Sequence, residues 1–188
     1  MDGQGEAQER FGPGGRLMRR AAPVLLAALL CGAAAPPAGL SPVSPQRVTP
    51  SGMPVPRYVS LKFDKVNARP GPGDDHRLLW VYRVRGLPVQ VVAETAEWRR
   101  ICDPEGGLAW VHRRTTAGRQ MVMNRNRTPA PLLKKPRDDA KPTAYLSPRT
   151  LASLVKCEDG WCRIKADGAS GWAREGQLWG TAPQPQCG

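Results

Sequence analysis

Apolar residues along positions 57–180 come in short runs that alternate with polar residues, and clusters of Gly, Pro, Asp and Glu separate these runs. No stretch of eleven residues keeps a helical period, and prolines interrupt most of the candidates. This pattern predicts short β-strands joined by tight turns. For the first half of this region the predicted strands are Tyr58–Phe63, Lys65–Arg69, Val89–Glu94, Glu97–Cys102 and Leu108–Val111.

The same pattern occurs twice. Residues 80–112 recur in shorter form at 143–174, without a gap from Trp80 and Thr143 to Ile101 and Ile164. One deleted residue then aligns Trp110 with Trp172. A repeat of this length predicts one small fold used twice. Because closure removes exposed strand edges, strands this short favour small closed barrels.

Two stretches carry a family resemblance. The segment KVNARPGPG at 65–73 resembles the Asn-x-Arg-x-Gly-Pro signature of bacterial SH3 (SH3b) domains, and LLWVYRVRGLPVQVVAE, WRRICD and AWVH resemble exported tandem SH3b proteins of alphaproteobacteria. The resemblance implies an all-β fold with two tandem SH3-like barrels. In the second copy the signature positions supply neither the asparagine nor the arginine. A ligand role is therefore expected of the first copy more than of the second.

The ends of the chain differ in composition from its centre. Basic residues at 16, 19 and 20 precede an apolar run at 21–30 that is too short to span a bilayer, which predicts a secretory signal, with Met1 and Met18 both open as the start. We therefore expect a periplasmic or secreted protein with no transmembrane segment after signal removal. The predicted organisation is a leader and signal peptide at 1–35, a Pro-rich tether at 36–56, a first barrel at 57–114, a connector at 115–128, a second barrel at 129–180 and a flexible tail at 181–188.

Four cysteines remain after signal removal. Cys157 and Cys162 flank a predicted hairpin loop, where a cross-strand pair lies close enough for a disulfide. Glu94 and Arg99 take the matching positions in the first copy. For Cys102 and Cys187 two outcomes stay open, pairing with each other or cross-linking of chains. The spacing and the export signal disfavour a four-cysteine zinc site, so no metal or cofactor is predicted.

The residues for catalysis are few. His76 and His112 are the two histidines, and neither lies in a nucleophile or metal motif. The acidic pairs at 74–75 and 138–139 are typical of solvated turns. We therefore expect a protein that is not an enzyme.

Charge and aromatic residues point to binding. Residues 36–188 carry 24 Lys and Arg against 13 Asp and Glu, which suits an anionic partner, while the export signal argues against nucleic acid. The candidate ligand-binding residues are Tyr82, in a predicted loop, with Trp80, Trp98 and Arg99; core packing stays open for the tryptophans. The resemblance implies binding of peptidoglycan or its peptides, or targeting to the cell envelope. The alternative is a periplasmic adaptor that holds an envelope protein.

Overall fold

The computed structural model describes residues 49–187, in which alternating buried and exposed residues form two small antiparallel barrels. The strands of the first barrel are β1 Arg57–Leu61, β2 Val66–Ala68, β3 Trp80–Tyr82, β4 Pro88–Glu94, β5 Trp98–Cys102, β6 Leu108–His112 and β7 Thr116–Ala117. Those of the second are β8 Met121–Asn124, β9 Ala130–Leu133, β10 Pro142–Leu146, β11 Leu151–Glu158, β12 Trp161–Ala166, β13 Ala169–Arg174 and β14 Leu178–Trp179. One 3-10 helix precedes the last strand of each, at Arg113–Thr115 and Glu175–Gln177.

The two barrels share one strand order. The second is a single sheet in the order β10-β9-β13-β12-β11-β8-β14. The first is a sheet in the order β6-β5-β4-β1-β7, to which a bridge between Arg69 and Trp110 joins the β2–β3 hairpin. The first barrel therefore has the order β3-β2-β6-β5-β4-β1-β7, which matches the order of the second strand for strand. The predicted all-β fold with two tandem barrels is confirmed. Residues 49–187 contain no α-helix, and none of their helical turns is long and apolar enough to cross a bilayer.

Each barrel has its own apolar core. In β2, Val66 and Ala68 point inward while Asn67 between them faces solvent, as the two-residue period of a strand requires. In the second barrel β13 approaches β9 so closely that a Cβ at Gly171 would lie 2.7 Å from the Cβ of Leu132. A glycine is therefore needed at this closure of the barrel.

The pairing register corrects the sequence alignment of the two copies. Val66 pairs with Tyr82 in the first barrel, and Ala130 pairs with Leu146 at the corresponding place in the second. Leu146 is accordingly buried in the position of Tyr82, while Tyr145 is 63% exposed. The alignment of Tyr82 with Tyr145 is thus wrong by one residue.

The predicted connector at 115–128 is wrong in extent. Strand β7 pairs with β1 and completes the first barrel, while β8 lies between β11 and β14 in the second sheet. The second barrel therefore begins at Met121 rather than at residue 129, because β8 is one of its sheet strands. Only residues 118–120 link the last strand of one barrel to the first of the next.

The predicted flexible tail is also wrong for the residues that the structure describes. The buried amide of Gln90 donates to the carbonyl of Gln184 at 2.8 Å and accepts from the N–H of Gln186 at 2.9 Å. Cys187 then forms a disulfide with Cys102, with an S–S distance of 1.92 Å. The tail is ordered because it satisfies a polar group buried in the first barrel and is covalently attached to it.

The second disulfide joins Cys157 to Cys162 across the β11–β12 hairpin, with an S–S distance of 1.98 Å. The predicted leader and signal peptide, and the tether up to residue 48, lie outside the described residues. At the end of the tether, the backbone N–H of Ser51 donates to Glu94 Oε1 at 3.1 Å. This part of the tether contacts the first barrel.

Candidate functional site

A groove of about 210 Å³ opens on the first barrel beside the signature segment. Asn67 enters it from the outward face of β2, and Trp98 and His112 come from β5 and β6. These two residues are cross-strand partners, and their ring centroids lie 5.3 Å apart. The sheet register therefore builds one aromatic wall of the groove.

The arginine and the first glycine of the signature shape the adjoining turn. Arg69 donates a hydrogen bond to the carbonyl of His76 and pairs with Asp74 at 3.2 Å. A Cβ at Gly71 would lie 2.2 Å from His76 Nε2, so a larger residue there would require the His76 ring to move. Arg69 thus holds the turn, while Asn67 leaves its amide exposed to the groove.

The groove is cationic. Lys65, Arg69 and Arg114 line it together with one carboxylate, that of Asp74, which is already paired with Arg69. Lys65 and Arg114 are exposed and form no ion pair within residues 49–187. The ring of His112 accepts a hydrogen bond from the N–H of Arg114 at 3.2 Å and so fixes the start of that turn. Two cations that have no ion-pair partner among the described residues, beside an aromatic wall and an amide, suit an anionic ligand with a flat or apolar part.

The corresponding surface of the second barrel is filled by its own side chains. Leu133 takes the place of Arg69 and packs against Trp161 and Trp172. Arg174 takes the place of His112, lies 4.1 Å from the ring centroid of Trp161 and bonds to Asp138. At the positions that line the groove in the first barrel, the second barrel keeps a tryptophan, Trp161. The ring of His112 is replaced there by the guanidinium of Arg174.

Tyr82, the leading candidate from the sequence, does not lie in a loop. It is in strand β3, is 9% exposed and belongs to the first core. Its hydroxyl donates to Asp103 Oδ2 at 2.9 Å. The expected surface position is wrong because β3 pairs with β2 and turns this ring inward, although part of it lines a cavity of about 200 Å³ between the barrels.

The other three candidates divide between the groove and the framework. Trp98 lines the groove although it is 8% exposed. Trp80 is half-buried with its ring edge-on to Tyr82, at a centroid distance of 6.0 Å. Arg99 pairs with Glu94 at 3.5 Å and donates to Thr116 Oγ1, outside the groove. Of the four, only Trp98 reaches the groove.

Sequence reasoning missed Lys65, Asn67, His112 and Arg114. The first two lie in or beside the signature segment, where the two-residue period of β2 already turns Asn67 outward. His112 is the cross-strand partner of Trp98, which the sequence does not state because register depends on the loop between β5 and β6. Within the described part of the chain no three His, Cys, Asp or Glu side chains are placed to hold a metal ion.

Comparison with known proteins gives a match to the family described as bacterial SH3 domain, over residues 62–118 and 126–180. Two solved structures, NlpC2 and NlpC1 from Trichomonas vaginalis, resemble this chain weakly. NlpC2 has 14% identity and a TM-score of 0.32, covering 66% of this chain and 48% of its own. NlpC1 has 15% identity and a TM-score of 0.32, covering 76% of this chain and 51% of its own. The chain thus spans about half of each, and no curated protein matches it.

Proposed function

Since the chain belongs to the bacterial SH3 domain family, we propose that it is an exported, non-catalytic binding protein of the cell envelope. Its first barrel binds an anionic envelope ligand, peptidoglycan or its peptide stems, in the groove beside Trp98. The observation that carries this proposal is the contrast between the barrels. The first leaves Lys65 and Arg114 without an ion pair in the described chain, whereas the second covers its equivalent tryptophan with Arg174.

The chemistry of the groove suits a peptide that carries carboxylates. Lys65 and Arg114 meet a carboxylate by charge-assisted hydrogen bonds, which are stronger than neutral ones. The Asn67 amide has both a donor and an acceptor for a peptide group. The exposed edges of Trp98 and His112 provide the apolar surface against which the rest of the ligand packs. None of these roles requires a bond to be broken.

The test is co-sedimentation of the oxidised mature chain with purified peptidoglycan sacculi at low and at high salt. We expect pelleting that persists at high salt, because a specific site is screened less than a diffuse positive charge. The double variant Lys65→Ala/Arg114→Ala should weaken binding by at least about tenfold, since each change removes a charge-assisted hydrogen bond.

The matched control is Arg119→Ala/Arg127→Ala, which removes the same charge from exposed residues outside the groove. It should keep the affinity within about twofold of the parent, because such distant charges act only through screened electrostatics. Equal weakening by both variants would reduce the binding to net charge. Failure of the parent to pellet at either salt would contradict the proposal and favour the adaptor.

A further inference from the structure

A second, polar cavity of about 220 Å³ lies on the outer face of the second barrel, where β9, β10, β12 and β13 meet. Its floor is Trp172, which is the cross-strand partner of Arg163 on β12. Lys134, directly after β9, lines the wall, with Ser170 from β13 and Thr143 from β10. This cavity shares no residue with the groove of the first barrel.

Both cations of the cavity are available to a ligand. Lys134 and Arg163 are exposed, and neither forms an ion pair within residues 49–187. Two carboxylates of this barrel are engaged by other cations, since Asp138 pairs with Arg174 and Glu158 pairs with Lys156 at 2.7 Å. Lys156, which lies 5.3 Å from the ring centroid of Trp172, is the partner of Glu158 and adds no unpaired charge in the described chain. Among the described residues, the lining of the cavity therefore holds two cations and no carboxylate.

The two hydroxyl groups of the cavity, those of Thr143 and Ser170, differ in their hydrogen bonds. Thr143 donates to the carbonyl of Leu132 at 2.9 Å and so supports the β9–β10 pairing. The hydroxyl of Ser170 has no hydrogen-bond partner in the part of the chain that the structure describes. One neutral donor therefore accompanies the two cations.

The first barrel shows that the fold does not require hydroxyl groups here. The matching strand pairs place Arg100 and Trp110 where the second barrel has Arg163 and Trp172. Leu108, however, stands in the position of Ser170, because it pairs with Cys102 as Ser170 pairs with Lys165. Leu79, next to Trp80, stands likewise at the place of Thr143. The second barrel thus has hydroxyl groups at two positions, Ser170 and Thr143, where the first barrel has leucines.

We propose that this cavity binds a phosphate group, with Lys134 and Arg163 as its counter-charges and the Ser170 hydroxyl as a hydrogen-bond donor. Two cations and one donor match a dianionic tetrahedral group better than a single carboxylate. The source of the phosphate is free inorganic phosphate or a phosphate monoester on a larger molecule, and both present the same group. This site is independent of the proposed groove and remains if the groove binds nothing.

The test is a titration of the oxidised mature chain, followed by amide ¹H–¹⁵N chemical shifts at constant ionic strength. The probes are inorganic phosphate, glycerol phosphate and acetate. We expect saturable shifts at residues 170–172 with phosphate, and weaker shifts with acetate. A stronger response to glycerol phosphate than to phosphate would assign a monoester as the ligand, an equal response would show that the site recognises the phosphate group alone, and a response to phosphate alone would assign the free anion.

Two variants separate a built site from general charge. Lys134→Ala should weaken phosphate binding about tenfold, while Arg119→Ala, with the same loss of charge, should change it less than twofold. Ser170→Leu introduces the residue of the first barrel without altering charge, and we expect it to reduce the affinity at least as much as Lys134→Ala does. Shifts spread evenly over all basic residues, an unchanged response in both cavity variants, or equal binding of acetate would each overturn the proposal.

Discussion

The hydroxyl of Tyr82 joins two parts of the first barrel. Asp103 Oδ1 accepts from the backbone N–H groups of Glu105 and Gly107, at 2.9 and 2.8 Å, and so organises the turn after β5. Its other oxygen accepts from Tyr82 in strand β3. Burial, together with the charge of Asp103, raises the pKa of Tyr82 well above its usual value. The hydroxyl therefore stays protonated as a donor, and its role in the described chain is to hold a turn.

The variant Tyr82→Phe tests this role. It leaves the ring in the core but deprives a buried carboxylate oxygen of its donor, and we expect it to lower the free energy of unfolding by about 1–3 kcal/mol. Urea unfolding at pH 7 measures the change. Tyr145→Phe is the control, since that side chain is 63% exposed and its loss should stay within about 0.5 kcal/mol. Equal effects of the two changes would show that the bond to Asp103 contributes nothing.

For single residues, the sequence shows which residue types are candidates for the site, but not whether each side chain is buried or exposed. Trp98 and Asn67 stand in recognisable segments, and the alternation along β2 turns Asn67 outward. Whether Tyr82 faces solvent depends on β3 pairing with β2, twelve residues away along the chain. Nothing local encodes that pairing, because Trp80–Tyr82 is a strand of three residues. Arg114 was missed for a similar reason, since the cap that positions it comes from His112 after the sheet has formed.

The two β-hairpins that follow the long loops use different cross-links at one register position. Glu94 pairs across β4 and β5 with Arg99, as Cys157 pairs across β11 and β12 with Cys162. Glu94 also bonds to Arg57 and to Ser51, and its side chain is buried. Burial alone would raise the pKa of Glu94, but hydrogen bonds from Ser51, Thr49 and Arg57 outweigh it and lower the pKa to about 2. An ion-pair cluster thus stands where the second barrel has a disulfide.

This cluster predicts an acid-sensitive first barrel. Because the folded pKa of Glu94 lies below the unfolded value of about 4.5, its contribution is fully present above that pH and is lost as pH falls toward 2. The upper bound of the contribution is about 3 kcal/mol. Glu94→Gln should therefore lower stability at pH 7 and flatten the decline between pH 4.5 and 2.5. Denaturant unfolding across this range measures both effects.

Glu97→Gln serves as the control, because the side chain of Glu97 is exposed and forms no hydrogen bond within the described chain, while its backbone carbonyl accepts from the N–H of Arg113. It should keep the acid decline of the parent. A decline that persists unchanged in Glu94→Gln would assign the acid sensitivity to other carboxylates.

The hairpins were predictable because their strands and their paired residues can be read from the sequence. The alignment of β3 with β10 could not be predicted from the sequence. The loop between β3 and β4 has five residues, 83–87, whereas the loop between β10 and β11 has four, 147–150, and this difference leaves no clear mark in composition. A gapless alignment through such a region keeps the tryptophans in register and shifts the tyrosine by one, which turns it to the other face.

In the whole molecule the C-terminal segment ties the second barrel to the first. Trp179 of β14 donates from Nε1 to the carbonyl of Pro88 at 3.0 Å and meets the ring of Tyr58 edge-on at 5.9 Å. Beyond it the tail continues to Gln90 and ends in the disulfide of Cys187 with Cys102. The groove of the first barrel and the polar cavity of the second are therefore carried on one linked unit.

Two sets of contacts link the barrels, those of Trp179 and those of the tail, and they respond differently to Cys187→Ser. The tail from 182 to 187 should detach, because its remaining contacts are chiefly those with Gln90, whereas Trp179 should keep the barrels together through Pro88 and Tyr58. The disulfide closes a loop with a sequence separation of 85, for which the chain-entropy relation gives about 4.5 kcal/mol as an upper estimate. We expect lower stability together with a folded two-barrel unit.

Carboxypeptidase digestion followed by intact mass measurement detects the detached tail, because trimming should pass residue 187 in Cys187→Ser and stop there in the oxidised parent. Reductant also opens the second disulfide, so the reduction experiment belongs in a Cys157→Ser/Cys162→Ser background, where it should reproduce the effect of Cys187→Ser. Equal trimming of parent and variant would mean that the contacts with Gln90 hold the tail without the covalent bond. Separate unfolding transitions for the two barrels in Cys187→Ser would instead assign their coupling to the disulfide rather than to Trp179, since a tight apolar interface keeps two units cooperative.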